Sequence, residues 1–260
     1  MSNDNKEFFN LLASISNEKT FALELMPREQ DNTLVQCKYL TTAHLKDLIK
    51  SVVDSPITQS VFNSSTTRVF KQCLTGAPSY ALNVIDRLLF IIEARITALS
   101  PVLKTTINKK DITIDFLSVK QKLLESLKQN AALLRSSSAT EGNISLTYGV
   151  PLLDVEHQLN EELYKDLNPD IENPEELRKI LGDAFVNEIA KSLQTITIED
   201  KTMDLSKVSF RQRLQIIEKL PASLIQKVIE YIEVYKKILE PSLSVDGETI
   251  PIDGTLFSVR

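Results

Sequence analysis

Asn83-Val-Ile-Asp-Arg-Leu-Leu-Phe-Ile-Ile-Glu-Ala-Arg95 decides the fold. Its Leu88-Leu-Phe-Ile-Ile92 run is apolar around most of a helical circumference, which a surface helix avoids because one face must meet water. The spacing predicts a helix from about residue 80 to residue 99, placed at the centre of the core. A loop holding Gly76 and Pro78 precedes it. Arg87, Glu93 and Arg95 sit in or beside the apolar run and need partners or solvent, because an unpaired buried charge is costly.

Upstream of this helix, Thr20-Phe-Ala-Leu-Glu-Leu-Met26 alternates in period two and Thr33-Leu-Val-Gln-Cys-Lys-Tyr39 is β-prone. The polar stretch between them predicts a hairpin. Thr41 and Thr42 can cap a following helix, whose Leu45, Leu48, Ile49, Val52 and Val53 form one apolar face. Pro56 suits the first turn of the next helix, which carries Ile57, Val61, Val69 and Phe70. Residues 1–16 read as a helical arm with Phe8, Phe9, Leu11, Leu12 and Ile15.

Downstream, Asp111-Ile-Thr-Ile-Asp-Phe-Leu117 alternates as a strand, and residues 119–134 predict an amphipathic helix. Ser136-Ser-Ser-Ala-Thr-Glu-Gly-Asn143 reads as a flexible loop. Strands are expected at 144–148 and 194–199, with acidic helices at 152–167 and 174–193. Val208, Phe210, Leu214 and Ile217 predict a helix ended by Leu220-Pro221. Leu224, Ile225, Val228, Ile229, Ile232, Tyr235 and Leu239 predict another, stopped by Pro241. Ser244-Val-Asp-Gly-Glu-Thr-Ile-Pro-Ile252 reads as a hairpin turning at Asp246-Gly247.

The expected class is α+β: mostly helical, with an N-terminal β-hairpin and a small strand-containing inserted lobe. Residues 1–103 are expected to pack with 201–260, and 104–200 to form the inserted lobe, because composition shifts at both junctions. Residues 151–200 are strongly acidic and 201–240 mildly basic.

A hydrophobic fraction of 42% and a charged fraction of 25% fit a packed globular chain and exclude disorder over long stretches. A net charge of −5 argues against a general nucleic-acid binder, which carries a basic stripe. No run approaches the ~20 apolar residues of a membrane span. The polar N-terminus lacks the basic cap and apolar core of a secretory signal, so residence in a cytosol is expected. Cys37 and Cys73 are then reduced, buried thiols, since no CxxC pair accompanies them.

Chemistry is sparse. The six glycines form no phosphate-cradling pattern, and no GxSxG turn occurs. With two histidines in the chain, any Ser-His or Cys-His pair must use His44 or His157. His44 falls in the first turn of a helix, a poor place for a cation, and reads as a surface or staple residue. His157 and Glu161 lie one helical turn apart and could share a metal, but the sequence places no third ligand. Paired carboxylates such as Glu161-Glu162 and Glu175-Glu176 point different ways on a helix and do not converge on a substrate. No catalytic residue, cofactor or metal centre is expected.

The order of segments is more informative than any motif. The early hairpin leads into Tyr39-Leu-Thr-Thr-Ala-His-Leu-Lys-Asp-Leu-Ile49, and then into the 83–95 stretch. Asp111-Ile-Thr-Ile-Asp115 and Ile144-Ser-Leu-Thr-Tyr148 follow, the second running into a proline. Val208-Ser-Phe-Arg-Gln-Arg-Leu-Gln-Ile-Ile-Glu-Lys-Leu-Pro-Ala-Ser-Leu224 completes the series. In this order the chain resembles the baseplate hub subunits and hub assembly proteins of T-even-type contractile-tailed bacteriophages, over residues 21–235. That resemblance implies a role in protein–protein binding during tail morphogenesis. The partners would be other tail and hub proteins, in the host cytoplasm during assembly or in the virion baseplate. It carries over no catalytic residue.

Homo-oligomerisation stays open at this point. The alternatives are a tail-assembly chaperone absent from the mature virion and a metal-dependent enzyme using His157 and Glu161. For a docking protein the anchors expected from the residues are Phe210, Leu220, Pro221, Leu224, Tyr231 and Phe257, because buried aromatic and aliphatic groups dominate interfaces.

Overall fold

The structure, a computed structural model, describes residues 19–28, 33–50, 58–76, 78, 80–164 and 174–257. In chain order these form β1 (Thr20–Glu24), β2 (Leu34–Lys38), α1 (Thr42–Lys50), α2 (Thr58–Cys73), α3 (Val84–Ala98), β3 (Val102–Ile107), β4 (Lys110–Asp115) and α4 (Phe116–Gln129). Then come β5 (Ser137–Glu141), β6 (Ile144–Tyr148), α5 (Leu153–Tyr164), α6 (Pro174–Ser192), β7 (Leu193–Ile198) and β8 (Lys201–Asp204). The series ends with α7 (Phe210–Ile217), α8 (Ala222–Leu239), β9 (Ser244–Val245) and β10 (Glu248–Thr249). The class is α+β, as the periodicities predict. The expected N-terminal arm and Val52, Val53, Pro56 and Ile57 lie outside the described residues.

Helix α3 is the core helix: every residue from Ile85 to Arg95 is buried. It starts later than periodicity alone suggests because Asn83 caps it. The Asn83 Oδ1 accepts from the N–H groups of Ile85 and Asp86 at 3.0 Å each, and Asp86 Oδ2 accepts from the Asn83 N–H at 2.9 Å. This reciprocal box satisfies N–H groups that the first helical turn leaves without partners. Asp86 also accepts from the Met26 N–H at 2.9 Å and pairs with Arg28, which ties the first hairpin to the helix start.

The charges inside α3 find separate solutions. Arg87 forms a two-pronged pair with Glu156 of α5 and donates to Thr67 Oγ1 of α2 at 3.1 Å. Glu93 lies 2.6 Å from Lys120 Nζ of α4. The Arg95 guanidinium sits 5.9 Å over the Phe116 ring, while its Nε and Nη1 have no hydrogen-bond partner.

Among the described residues all strand pairings are antiparallel: three two-stranded hairpins (β1–β2, β3–β4, β9–β10) and one four-stranded sheet in the order β5-β6-β7-β8. Strands β3, β5 and β8 correct the sequence reading, β8 by pairing with β7 from Ile198↔Lys201 to Thr195↔Asp204. β3 pairs with β4 around Asn108 and Lys109, both at positive φ, the backbone a two-residue hairpin turn demands. Residues 137–141, expected within a flexible loop, are strand β5. Their backbone pairs with β6 across the Gly142-Asn143 turn, where Gly142 takes φ +59°. A polar edge strand carries no period-two apolar signal, because only Ala139 of its inward residues is apolar.

One apolar cluster joins all three parts of the chain. The expected bounds of an inserted lobe at 104 and 200 fall within β3 and at the turn of the β7–β8 hairpin. Helix α4 of that middle part packs on both α3 and α8. The segment is therefore built into the common core. The first and last parts also touch: α1 packs on the 3-10 turn Gly254–Phe257, and Gln59 donates to the Ile252 carbonyl at 3.2 Å. No helix among the described residues is long and apolar enough to cross a membrane.

Candidate functional site

The six anchors expected from the sequence are placed mostly inside. Phe210, Leu224, Tyr231 and Phe257 are 6, 2, 7 and 1% exposed. Leu220 and Pro221 are half-buried. Tyr231 is spent internally: its hydroxyl donates to the Leu134 carbonyl at 3.1 Å and its ring meets Tyr148 edge-on at 5.5 Å. The apolar stripes of α7 and α8 complete the chain's own core, so these four side chains are not surface anchors in the folded molecule. Arg213 of α7 is a structural staple. It is 1% exposed and donates to the carbonyls of Ala190 (2.6 Å), Leu193, Leu205 and Val208, fastening the end of α6 to the turn before α7.

The concave surface lies elsewhere, along α2 and α5. These helices run so that Ser64 faces His157 and Lys71 faces Asp154, which form an ion pair. Phe62, Val69, Phe70 and Cys73 turn inward from α2, with Phe70 stacked on Phe90 of α3 at 4.6 Å. Apart from Val61, what remains outward beside the cleft is polar: Ser64, Ser65, Arg68, Lys71 and Gln72. With Thr67, His157 and Glu161 they line a cleft of about 570 Å³. Lys71 also borders a second cleft of about 510 Å³ at the start of α5, and Tyr80 and Ala81 of that cleft border a third, of about 540 Å³. The third lies between Arg28, Arg135 and Gln194, so neighbouring clefts share lining residues across one grooved surface.

His157 and Glu161 do meet, Nε2 to Oε1 at 3.4 Å, and Ser64 Oγ lies 3.3 Å from His157 Nδ1. Hydroxyl, imidazole and carboxylate thus stand in a row. Acyl transfer also needs N–H donors aimed at the developing oxyanion. Ser64 lies inside α2, where backbone N–H groups are committed to the helix ladder. The row orients the imidazole and offers no such hole. Among the described residues no three or more His, Cys, Asp or Glu side chains gather in a way that would hold a metal ion.

Arg28 is held at several points. Its guanidinium lies 4.0 Å over the Tyr80 ring, and it holds the buried Asp86 at 2.5 Å and the Ala81 carbonyl at 3.2 Å. Burial pushes the Tyr80 phenol up, against the pull of Arg28, so it stays neutral. Arg68 and Lys71 are held more loosely, by Asp47 and Asp154 in exposed ion pairs.

His44 is half-buried and works as part of a helix cap. Its Nδ1 accepts from the Thr41 N–H at 3.2 Å, while the His44 N–H donates to Thr41 Oγ1 at 3.3 Å. Cys37 and Cys73 are free and buried; burial pushes their thiols up to about 12 and about 11, so neither is a thiolate at neutral pH. The groove escaped the sequence reading because its cations come from three separated segments. The one local signal was the Arg68–Lys71 pair on the polar side of α2. No family model, no curated protein and no solved structure matches the chain.

Proposed function

We propose that this chain works by binding other proteins, as a component or assembly factor of a contractile-tail baseplate hub. The observation that carries the reading is the groove. Three adjoining, open clefts suit an extended polypeptide, whereas a small molecule favours an enclosed and mostly apolar pocket. The ordered resemblance of residues 21–235 to hub proteins supplies the setting, with tail and hub proteins as partners in the host cytoplasm or the baseplate.

The test is affinity purification of the tagged full chain from phage-infected cells. Tail or hub proteins are expected to co-purify in fixed proportion, and the protein inventory of finished particles separates a retained component from a chaperone that leaves. A chain recovered alone, or only with copies of itself, would overturn the hub assignment. The binding surface to alter is the outer side of α2, since Leu224 and its neighbours serve the core.

A further inference from the structure

We infer that the free edge of β5 pairs with the same edge of a second copy of this chain, antiparallel about a two-fold axis at Ser138. Gly142-Asn143 makes a two-residue turn, so Glu141 and Ile144 exchange hydrogen bonds, and Ala139 and Ser137 face β6 in the same way. The N–H and C=O groups of Ser138 and Thr140 therefore point away from β6. β5 ends the sheet on that side, both residues are exposed, and among the described residues no backbone group bonds to theirs. A row of such groups is a template for another strand.

Exposed edges are ordinarily guarded by charge, proline, bulges or short length. β8, at the opposite end of the sheet, is four residues long and carries Lys201 and Asp204. The outward positions of β3 include Lys104, and those of β4 include Asp111 and Asp115. From Ser136 to Thr140 the β5 edge has no charge and no proline, and its register with β6 is unbroken. Its Ser, Ala and Thr side chains are small, so a second backbone can come close. Helix α8 stands over one face of the strand. Ser223 donates to Glu141 at one end, and Tyr231 meets Tyr148 at the other. The alternate face, with the Ser138 and Thr140 hydroxyls, is open to solvent.

The sequence of the edge selects a second copy as the occupant. Setting Ser138 opposite Ser138 brings Ser136 opposite Thr140 on either side, so each outward N–H and C=O meets its counterpart. One position further out, exposed Arg135 of one copy comes opposite exposed Glu141 of the other, once at each end. Moving the axis by one residue breaks both charge pairs and leaves Ser136 or Thr140 with no strand residue opposite. The same patch serves both copies, as a closed two-fold contact requires. The four-stranded sheet then continues across the axis into its copy. The pairing is short, so a reversible, concentration-dependent dimer is expected.

The experiment is sedimentation velocity on the full chain over roughly a hundredfold range of concentration, where mass action converts monomer to dimer. Ser138→Pro removes the outward N–H at the axis without touching a bond to β6, and both copies lose it. The dissociation constant is expected to rise about tenfold or more. Thr202→Pro, at an outward position of β8, is expected to leave the dimer unchanged. Circular dichroism melts check that the variants are folded. Should Ser138→Pro melt early, the charges give a second test: Glu141→Arg is expected to weaken the dimer severalfold, and R135E/E141R to restore it. A wild type that stays monomeric throughout overturns the assignment, as does a dimer indifferent to a folded Ser138→Pro. Equal dimers in Glu141→Arg and R135E/E141R overturn it too. If the wild type is monomeric and Ser138→Pro loses proteins that the wild type captures from infected cells, the edge belongs to a partner's strand and the second-copy assignment fails. A chain recovered from those cells only with copies of itself sinks the hub reading and leaves this one standing.

Discussion

Helix α8 buries Leu224, Val228, Tyr231, Ile232, Tyr235 and Ile238, whereas α2 turns Arg68, Lys71 and Gln72 outward and keeps Ser64 half-buried beside His157. From sequence, α8 is the more conspicuous candidate for docking because it is rich in aliphatic and aromatic groups. In the fold those groups are consumed by α4, α6 and β5. Apolar stripes at helical spacing mark what a chain uses on itself. What folding leaves over on α2 is polar, with Arg68 and Lys71 held by exposed partners.

Single substitutions should separate the two helices widely. Leu224→Asp puts a carboxylate into a site 2% exposed. Its expected cost exceeds ~4 kcal/mol, enough to remove the cooperative thermal transition. A variant that melts like the wild type would return Leu224 to the surface and break the contrast.

Behind the outer face of α2 lies a buried pair, so the contrast sharpens within a few ångströms. Arg87 and Glu156 are each 6% exposed and bound at two points. Glu156→Ala strands the guanidinium and should cost ~3–5 kcal/mol, whereas replacing both residues with Met should recover much of that loss. Lys71→Ala, one turn from Thr67 on the same helix, should stay within ~1 kcal/mol of the wild type by urea denaturation. Similar losses at Glu156 and Lys71 would mean that both ion pairs are equally structural.

Much of this fold is legible in the sequence, and its gaps have physical causes. The Leu88–Ile92 run reports the core helix because only a helix buried on all sides tolerates it. Strand β5 stays hidden since an edge strand needs backbone pairing rather than apolar side chains, although Gly142-Asn143 before an alternating run is a hairpin signal in its own right. Composition shifts suggest an inserted lobe, but composition along the chain does not report shared core: Leu123, Leu124 and Leu127 of α4 are buried in the same cluster as residues of α3 and α8. Of the candidate residues, His157 and Glu161 were found together at helical spacing. Arg28, Tyr80 and Arg135 were not, because nothing local in the chain announces that 28, 80 and 135 converge.

His44 stands between the two classes, half-buried on α1 with Cys73 Sγ of α2 3.8 Å from its Nδ1. Burial holds its imidazole below the ordinary 6.5, with Asp47 pulling weakly upward. Between the folded and unfolded values the unfolded chain binds more protons, so stability falls as pH drops through about 6.5. The geometry gives the same sign, because protonating Nδ1 removes the acceptor for the Thr41 N–H. Thr41-x-x-Gln is an ordinary capping box, so His44→Gln keeps an acceptor at that position and removes the titration. The wild type should lose more thermal stability than His44→Gln between about pH 7 and about pH 5, a small difference read as paired Tm values in one buffer series. Parallel curves for the two proteins would put His44 with the solvent-facing charges of α2, outside the packed structure.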